Sequence, residues 1–584
     1  MKKLLTGNEA IARGAWEAGV VVCAAYPGTP STEITENAAQ YKEMYAEWSP
    51  NEKVALEVGL GAAIAGGRAL VAMKHVGVNV ALDPLFSLAY TGVNAGLVLV
   101  SADDPGIHSS QNEQDNRNLA KAAKIPILEP SDSQEAKDFT KIAFEISEKF
   151  DIPVMLRITT RVAHSQSLVE LLPREDIPLK EYKKNVEKYV MMPAPARARR
   201  RALEDRLEKL KEYAETTSLN RIELKESKLG VITSGITYQY LREISEDISV
   251  LKLGLTNPLP RQLITDFAQK VDNLYVLEEL DPFIEQQLKA WGIKVRGKEI
   301  FSPVGELMPE LIAEKLELAS KTNSLADKNE EILSKSDVPV RPPVMCPGCP
   351  HRGLFYTLNR LKLTVAGDIG CYTLGALAPL SAMDTTICMG ASIGTAIGME
   401  KARGKNYARN LVAVIGDSTF IHSGITGLID AVYNQARTTT IILDNRTTAM
   451  TGHQDNPVTG KTLKGEPTKE IDLAQLVKAV GVNRVVEIDP FELTDLRKII
   501  KEELEADEPS VIISKRKCAL IDKGKNITPC VILPEACTGC GNCLRLGCPC
   551  LVKDGDKVRI DSTQCVGCGL CIRVCPSSAI KKEV

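Results

Sequence analysis

Eleven of the sixteen cysteines in this chain lie at or beyond Cys518, and most of these fall into two runs. The first reads Cys537-x2-Cys540-x2-Cys543-x4-Cys548-Pro549 and the second Cys565-x2-Cys568-x2-Cys571-x3-Cys575-Pro576. Thiolates two residues apart wrap three corners of an iron–sulfur cubane, and a distant cysteine followed by proline supplies the fourth, usually of the other cluster. That rule assigns Cys537, Cys540, Cys543 and Cys575 to one 4Fe–4S cluster, and Cys565, Cys568, Cys571 and Cys548 to a second. The longer spacing in the first run leaves Cys550 as a rival to Cys548, which is preferred because Pro549 follows it. CxxC pairs also suit tetrahedral zinc, but two triple runs each closed by Cys-Pro favour iron. Disulfide frameworks spread their cysteines over small secreted domains, so this crowding indicates metal held in a reducing compartment.

A second chemistry rests on hard oxygen donors. The stretch VAVIGDSTF ends an apolar strand on Gly416-Asp417, and TTIILDN ends another on Asp444-Asn445. Carboxyl ends of strands are where α/β sheets present ligands. With a diphosphate, Asp417 and Asn445 suit an octahedral Mg²⁺, which takes one or two protein ligands and fills its shell with phosphate oxygens. A helix expected to begin near Ser423 would aim its backbone N–H groups at the phosphates. The Gly-rich entry MGASIGTAIGMEKA, which contains Gly390, strengthens this reading.

These groups need sheets to position them. Over the first ~170 residues β-branched runs alternate with helical stretches, with strands expected at 20–25, 69–73, 96–102, 125–130 and 152–158, a pattern that implies a parallel sheet covered on both faces. We therefore read residues 1–185 as one α/β domain and the highly charged 186–228 as a solvated helical connector, whose basic run is an exposed helix face rather than a binding patch. A smaller α/β unit follows at 229–318, then a polar linker at 319–343. A third α/β domain spans 344–530, with strands near TVAGD, LVAVIGD, TTIILDN and PSVIISK. The Cys-rich tail, 531–584, is too short to build a core without metal.

At 584 residues the chain is too long for one core, which suggests roughly three to five domains. Its net charge of −3 and 25% charged residues give no electrostatic reason to expect nucleic acid or an anionic membrane, and 5% aromatics leave little for base stacking. No apolar run is long enough to span a bilayer and no secretory signal opens the chain, so a cytoplasmic location is expected.

Several segments resemble known families. The tail is similar to a two-cluster bacterial-type ferredoxin domain. Residues 416–447 resemble the GD…N signature of thiamine-diphosphate enzymes, which implies Mg²⁺ held by Asp417, Asn445 and the Thr447 carbonyl, with Gly416, Ser418 and Gly390 close to the cofactor. Ser418 stands where Gly is usual, and Asp444 where a first Asn is common. YPGTPSTEI (26–34) resembles the YPxTPS turn of pyruvate:ferredoxin oxidoreductase-type enzymes, and EVGLGAAIAGGRA (57–69) the helix of their pyrimidine-binding domain. By that resemblance Glu57 hydrogen-bonds the aminopyrimidine ring and Thr29 lies near the substrate carboxylate; a helix-surface glutamate is the plain alternative for Glu57.

From YPGTPST through CPGCPHRG, DIGCYTLG, DTTICMGASIG and TTAMTGHQ to the tail, nearly the whole chain resembles the large subunits of indolepyruvate:ferredoxin oxidoreductases, within the 2-oxoacid:ferredoxin oxidoreductase family. The resemblance implies an α/β multidomain fold: thiamine-diphosphate-binding parallel-sheet domains, a transketolase C-terminal-like domain at 229–318, and a two-cluster ferredoxin-like tail. It implies a third 4Fe–4S cluster on Cys346, Cys349, Cys371 and Cys518, although Cys371 and Cys518 also suit buried small apolar positions. It further implies oxidative decarboxylation of aryl pyruvates, as in aromatic amino acid catabolism, with coenzyme A as co-substrate and ferredoxin as acceptor. His453, ahead of His351 and His422, is the acid–base candidate. No segment resembles the γ-type domain of related enzymes, so a smaller β subunit is expected, in a heterodimer or a dimer of heterodimers. The competing readings are a non-oxidative decarboxylase, an electron-transfer subunit with a dead thiamine site, and the same chemistry on aliphatic 2-oxoacids.

Overall fold

The computed structural model describes residues 1–226, 228–318, 342–522 and 528–583. Nearly all of the expected linker (319–341) lies outside them. The described residues form two compact units, one within residues 1–338 and the other within 339–584.

The first unit is built on a seven-stranded sheet. Its central strands, Ala69–Lys74, Leu97–Asp103 and Val154–Thr159, are almost wholly buried runs of Val, Leu, Ile, Met and Ala, as parallel strands covered on both faces must be. Val22–Ala25 and Tyr45–Trp48 extend the sheet on one side, and Ile127–Leu128 extends it on the other. Side-chain caps set where the covering helices start. Asn51 accepts the Val54 N–H at 2.9 Å to open helix Glu52–Ile64, and Asp132 accepts the Glu135 N–H at 2.9 Å to open Ser133–Phe150.

Two of the expected boundaries do not describe what forms. Leu255–Asn257, from the segment read as a separate unit, adds antiparallel to Ile127–Leu128 and becomes the edge strand of the first sheet. The chain reaches across because Leu255 and Thr256 are fully buried there, with the Thr256 hydroxyl donating to Glu129 at 2.7 Å. The charged connector is not solvated throughout. Its helix Pro193–Thr216 buries Leu203, Arg206, Leu210 and Ala214, and Arg199, Arg206 and Lys188 converge on Asp151. Past that helix, Arg221–Glu223 pairs antiparallel with Ser249–Leu253, completing a four-stranded sheet with Leu229–Ser234 and Asn273–Leu277.

A buried ionic knot joins these sheets. Arg117, 1% exposed, pairs with Asp115 at 2.5 Å and with Glu278 at 2.9 Å; Arg157 pairs with Asp103 at 2.7 Å and Glu129 at 3.0 Å. Burial pushes the Asp103 and Glu278 carboxyls up, against the pull of Arg157 and Arg117 respectively.

The second unit carries a six-stranded all-parallel sheet ordered Thr385–Thr386, Thr364–Gly367, Leu411–Gly416, Thr439–Asp444, Ser510–Lys515 and Arg484–Ile488. The tail folds around two antiparallel pairs, Cys530–Ile532 with Ile580–Lys582 and Leu551–Asp554 with Lys557–Ile560. A boundary at 530/531 therefore cuts a tail strand, and the tail begins no later than Cys530. Its apolar cluster is small: Leu551, Val558 and Ile580 are buried with Cys530 and Cys543, and Cys548, Cys565, Cys571 and Cys575 pack half-buried against them.

Replacing Arg117 by Met leaves Asp115 and Glu278 buried without their cation, a change that typically costs roughly 3–5 kcal/mol. The expected outcome is a clear drop in the first thermal unfolding transition of the chain, followed by circular dichroism.

Candidate functional site

In the second unit the oxygen donors sit where adjacent parallel strands end. Strand Leu411–Gly416 pairs in register with Thr439–Asp444, so Asp417 and Asn445 leave the sheet side by side. Asp417 is buried. Its Oδ1 accepts the Ser418 N–H at 2.6 Å and its Oδ2 the Arg446 N–H at 3.0 Å. Asn445 Oδ1 accepts the Thr447 N–H at 3.1 Å, and Thr448 donates to the Ser418 hydroxyl at 2.9 Å. Burial, with Asp444 as a like-charged neighbour, pushes the Asp417 carboxyl up to about 8. A buried carboxylate in that position suits a hard cation, and this donor set of Asp, Asn and a loop carbonyl fits Mg²⁺ with a diphosphate.

The helix that follows starts earlier than expected. It opens at Asp417 itself, passes through a π turn at Phe420–Gly424, and continues as Ile425–Tyr433, so Ser423 lies inside it. Such π turns inside helices recur at functional sites. Ser423 donates to the Met389 carbonyl at 3.0 Å, close to Gly390, whose φ of 85° and contact with Ser423 exclude a larger residue: a Cβ would sit 2.2 Å from the Ser423 hydroxyl. At the other side of Gly416, Tyr372 accepts its N–H at 3.0 Å and donates to the Ile369 carbonyl at 2.9 Å.

The histidines separate by placement. His351 is buried, edge-on to Tyr372, with Nε2 3.4 Å from Asn445 Nδ2; burial pushes its pKa down to about 4. His422 is buried and its Nδ1 meets the Ser423 hydroxyl at 2.8 Å. His453 is half-buried at a left-handed backbone position (φ 67°) in the loop after Thr447. His351 is thus the one beside Asn445, and its signal in the sequence was its place in CPGCPHRG.

Cysteines gather in three groups. Cys537, Cys540, Cys543 and Cys575 line a cavity of about 310 Å³, counting its open mouth. Cys548, Cys565, Cys568 and Cys571 line a second, of about 440 Å³. Cys349, Cys530 and Cys550 also line that second cavity, all three buried, and the Cys530 N–H donates to Cys565 Sγ at 3.4 Å. Cys530 was missed because it stands outside both runs. Each thiol set lines one recess, an arrangement from which four thiolates could hold an iron–sulfur cluster. The third group brings Cys346, Cys349, Cys371 and Cys518 into mutual electrostatic range. Burial pushes Cys349 up to about 12, and burial with Cys518 and Cys346 nearby pushes Cys371 up to about 11.

The first unit presents its polar groups at the carboxyl edge too. Thr29 follows strand Val22–Ala25, and its carbonyl accepts from Ser109 at 3.4 Å. Lys74 ends the neighbouring strand and lies against Gly28, with Nζ donating to the Ser109 carbonyl at 2.6 Å. Burial pushes the Lys74 pKa down to about 8, against the pull of Asp104. Lys74 also escaped the sequence reading, though a lysine closing the apolar run ALVAM was its signal. The assignment of Glu57 does not fit. It points outward from helix Glu52–Ile64 and pairs with Lys53 one turn away. The buried carboxylate of that helix is Glu52, 5% exposed, packed over Gly77 at the point where a Cβ would meet its Oε1.

Three family models match this chain: the thiamine-diphosphate-binding domain of pyruvate flavodoxin/ferredoxin oxidoreductases over residues 13–223, the C-terminal thiamine-pyrophosphate-binding domain of thiamine pyrophosphate enzymes over 368–514, and a 4Fe–4S binding domain over 558–581. Indolepyruvate oxidoreductase subunit IorA of Archaeoglobus fulgidus is 42% identical over 99% of this chain and 97% of its own length. The subunits of the same name from Pyrococcus horikoshii and Methanothermobacter marburgensis are 42% and 41% identical, over 100% and 99% of this chain and 97% of their own lengths. The chain belongs to the IorA family of indolepyruvate oxidoreductase subunits. As an IorA-family member it is an oxidoreductase chain with thiamine-diphosphate-binding parallel-sheet domains and a 4Fe–4S ferredoxin-type tail. Among its described residues no helix is long and apolar enough to cross a membrane.

Proposed function

We propose that this chain is the catalytic large subunit of an enzyme that oxidatively decarboxylates aryl pyruvates of the indolepyruvate kind, joins the acyl group to coenzyme A and passes the electrons to a ferredoxin. The observation that carries the reading is the combination, in one compact unit, of the Asp417–Asn445 strand edge with three groups of cysteines. The names of the relatives support the aryl substrate. The overall change releases carbon dioxide, one proton and two electrons from the 2-oxoacid and the coenzyme A thiol. The oxidation yields two electrons and a 4Fe–4S cluster takes one at a time, so a chain of one-electron centres would carry them away in single steps.

Asp417, Asn445 and the Thr447 carbonyl would hold Mg²⁺, and Gly390, Gly416 and Ser418 would lie along the diphosphate. Bound thiamine diphosphate supplies the electron sink for decarboxylation. Glu52, rather than Glu57, is the carboxylate placed to hold a proton on the aminopyrimidine, because it alone on its helix is buried at a strand's carboxyl end. Thr29 and Lys74 would receive the substrate carboxylate at the neighbouring strand ends. His351 or His453 would orient the substrate. Cys537, Cys540, Cys543 and Cys575 would bind one cluster; Cys548, Cys565, Cys568 and Cys571 a second; and Cys346, Cys349, Cys371 and Cys518 a third. A smaller subunit with the γ-type domain would complete the enzyme as a heterodimer or a dimer of heterodimers.

The test is anaerobic purification with the smaller subunit, assay of iron and sulfide, and ferredoxin reduction with coenzyme A. Indolepyruvate should outpace an aliphatic 2-oxoacid, with about twelve irons per large subunit; about eight would remove the Cys346 cluster, and an aliphatic preference would overturn the substrate class. Glu52→Gln should lower kcat by a factor on the order of 10²–10⁴ while Glu57→Gln stays near wild type; the reverse order would restore Glu57. Lys74 carries its charge below about 8 and loses it above, so the KM for the 2-oxoacid should rise as pH passes that value. That rise should vanish in Lys74→Met, measured as KM against pH.

A further inference from the structure

Arg352 is a buried cation without an anion. It is 2% exposed, in the first turn of helix His351–Leu361, and it forms part of the wall of the cavity lined by Cys548, Cys565, Cys568 and Cys571. Every hydrogen bond it makes within the described residues goes to a neutral carbonyl: Nη1 donates to Leu546 at 2.7 Å, and Nη2 to Met345 at 2.7 Å and Cys346 at 3.0 Å. Its Nε–H is buried and has no partner among the described residues. No described carboxylate pairs with it, in contrast to Arg117 and Arg157, whose buried charges each meet two or more. A buried charge left unpaired is costly enough that proteins rarely keep one. What the wall does supply is thiols, and four thiolates around an iron–sulfide core make that core an anion.

We propose that Arg352 is the counter-charge of the cluster held by Cys548, Cys565, Cys568 and Cys571, and that it raises the reduction potential of this cluster above that of the other tail cluster. The inference rests on the proposed function in one respect, that clusters occupy the two cavities. Its physical basis is that adding one electron deepens the cluster's negative charge, and a fixed positive charge in a low-dielectric wall stabilises the reduced form more than the oxidised one. The two cavities differ in this charge and in their thiols, since Cys349, which Arg352 attracts, and Cys530 and Cys550 line only the Arg352 side. Around Cys537, Cys540, Cys543 and Cys575 the lining is Ile, Thr, Gly, Val, Pro, Ser and Ala, with no charged side chain. Near the Arg352 cavity the further charges are the half-buried Asp561 beside Cys550 and the exposed Lys582 beside Cys530, of opposite sign, whose effects oppose each other. An electron entering the tail would therefore rest on the Arg352 side. Because Arg352 also ties Met345 and Cys346 to Leu546, the same side chain braces the CPGC turn against the tail.

The experiment is a redox titration of the anaerobically prepared enzyme, full chain with its smaller subunit, followed by electron paramagnetic resonance with small-molecule mediators, alongside iron and sulfide assays. Cys540→Ser perturbs the cluster in the uncharged cavity and so identifies its signal. In the wild type the unperturbed tail cluster should take up its electron at the higher potential. Arg352→Gln should shift that one-electron equilibrium at least tenfold toward the oxidised form, about 59 mV, leave the Cys540 cluster within threefold, and be largely reversed in Arg352→Lys, which keeps the charge but not the fork of hydrogen bonds. An equal shift in both variants would assign Arg352 to bracing alone, and no shift in either would deny it any hold on the potential; either result overturns the proposal. Should Arg352→Gln fail to load iron, the wild-type order decides: equal or inverted potentials overturn it. Wild-type protein without iron would bring down the proposed function as well, whereas full iron with unchanged potentials would bring down only this inference.

Discussion

Parallel pairing makes every strand of a sheet release its chain at the same edge, and both large sheets of this protein gather their unusual polar groups there. In the second unit Asp417 and Asn445 emerge next to each other because Leu411–Gly416 and Thr439–Asp444 are hydrogen-bonded neighbours in register. In the first unit Thr29, Lys74 and Glu52 follow three strands that run side by side, Val22–Ala25, Ala69–Lys74 and Tyr45–Trp48. Within the strands both faces are covered, so the polar residues that do occur there, such as Arg157 and Asp103, are buried and paired. Polar groups left open to a ligand are thus found at the edge, where the strands end.

Buried charge is the second organising theme, and the molecule treats it in two ways. In the first unit Arg117 and Arg157 are surrounded by carboxylates, and the knot holds the seven-stranded sheet to the four-stranded one. Those charges are structural because they satisfy one another. In the second unit Asp417 has its carboxyl pushed up by burial and by Asp444 against the pull of Arg446, and Arg352 meets only carbonyls, so among the described residues neither forms an ion pair. The sign of each matches the group expected beside it: a cation with diphosphate next to Asp417, an anionic cluster next to Arg352.

The tail illustrates how a short segment can be specified with little hydrocarbon. Two short antiparallel pairs and a few apolar side chains surround two thiol-lined cavities, and six of the cysteines belong to the small apolar cluster of the tail. Metal bonds must then supply the cohesion that burial cannot. Left-handed glycines give the runs their curvature; at Gly539 a Cβ would sit 2.2 Å from the Asp556 carbonyl oxygen, so only glycine permits that approach.

Some features were legible in the one-dimensional order of residues because their determinants are local. Cysteine spacing with the Cys-Pro rule groups the tail thiols as they lie around the two cavities, strand-ending GD and DN pairs locate the oxygen donors, and apolar runs mark the central strands. Where the determinant is which way a side chain faces, or what arrives from far along the chain, order was not enough. Glu57 and Glu52 share a helix and differ only in the face they occupy, so burial alone separates them. Leu255–Asn257 joins a sheet begun more than a hundred residues earlier, and its pairing is decided by a long-range edge that no local pattern encodes. Arg352 reads as one basic residue among 72 Lys and Arg until packing buries it with no carboxylate partner among the described residues. Residue type and spacing determined which chemistry this protein carries, because ligand bonds and strand periodicity are short-range; tertiary packing decided which side chains carry it, because burial and charge balance are properties of the whole fold.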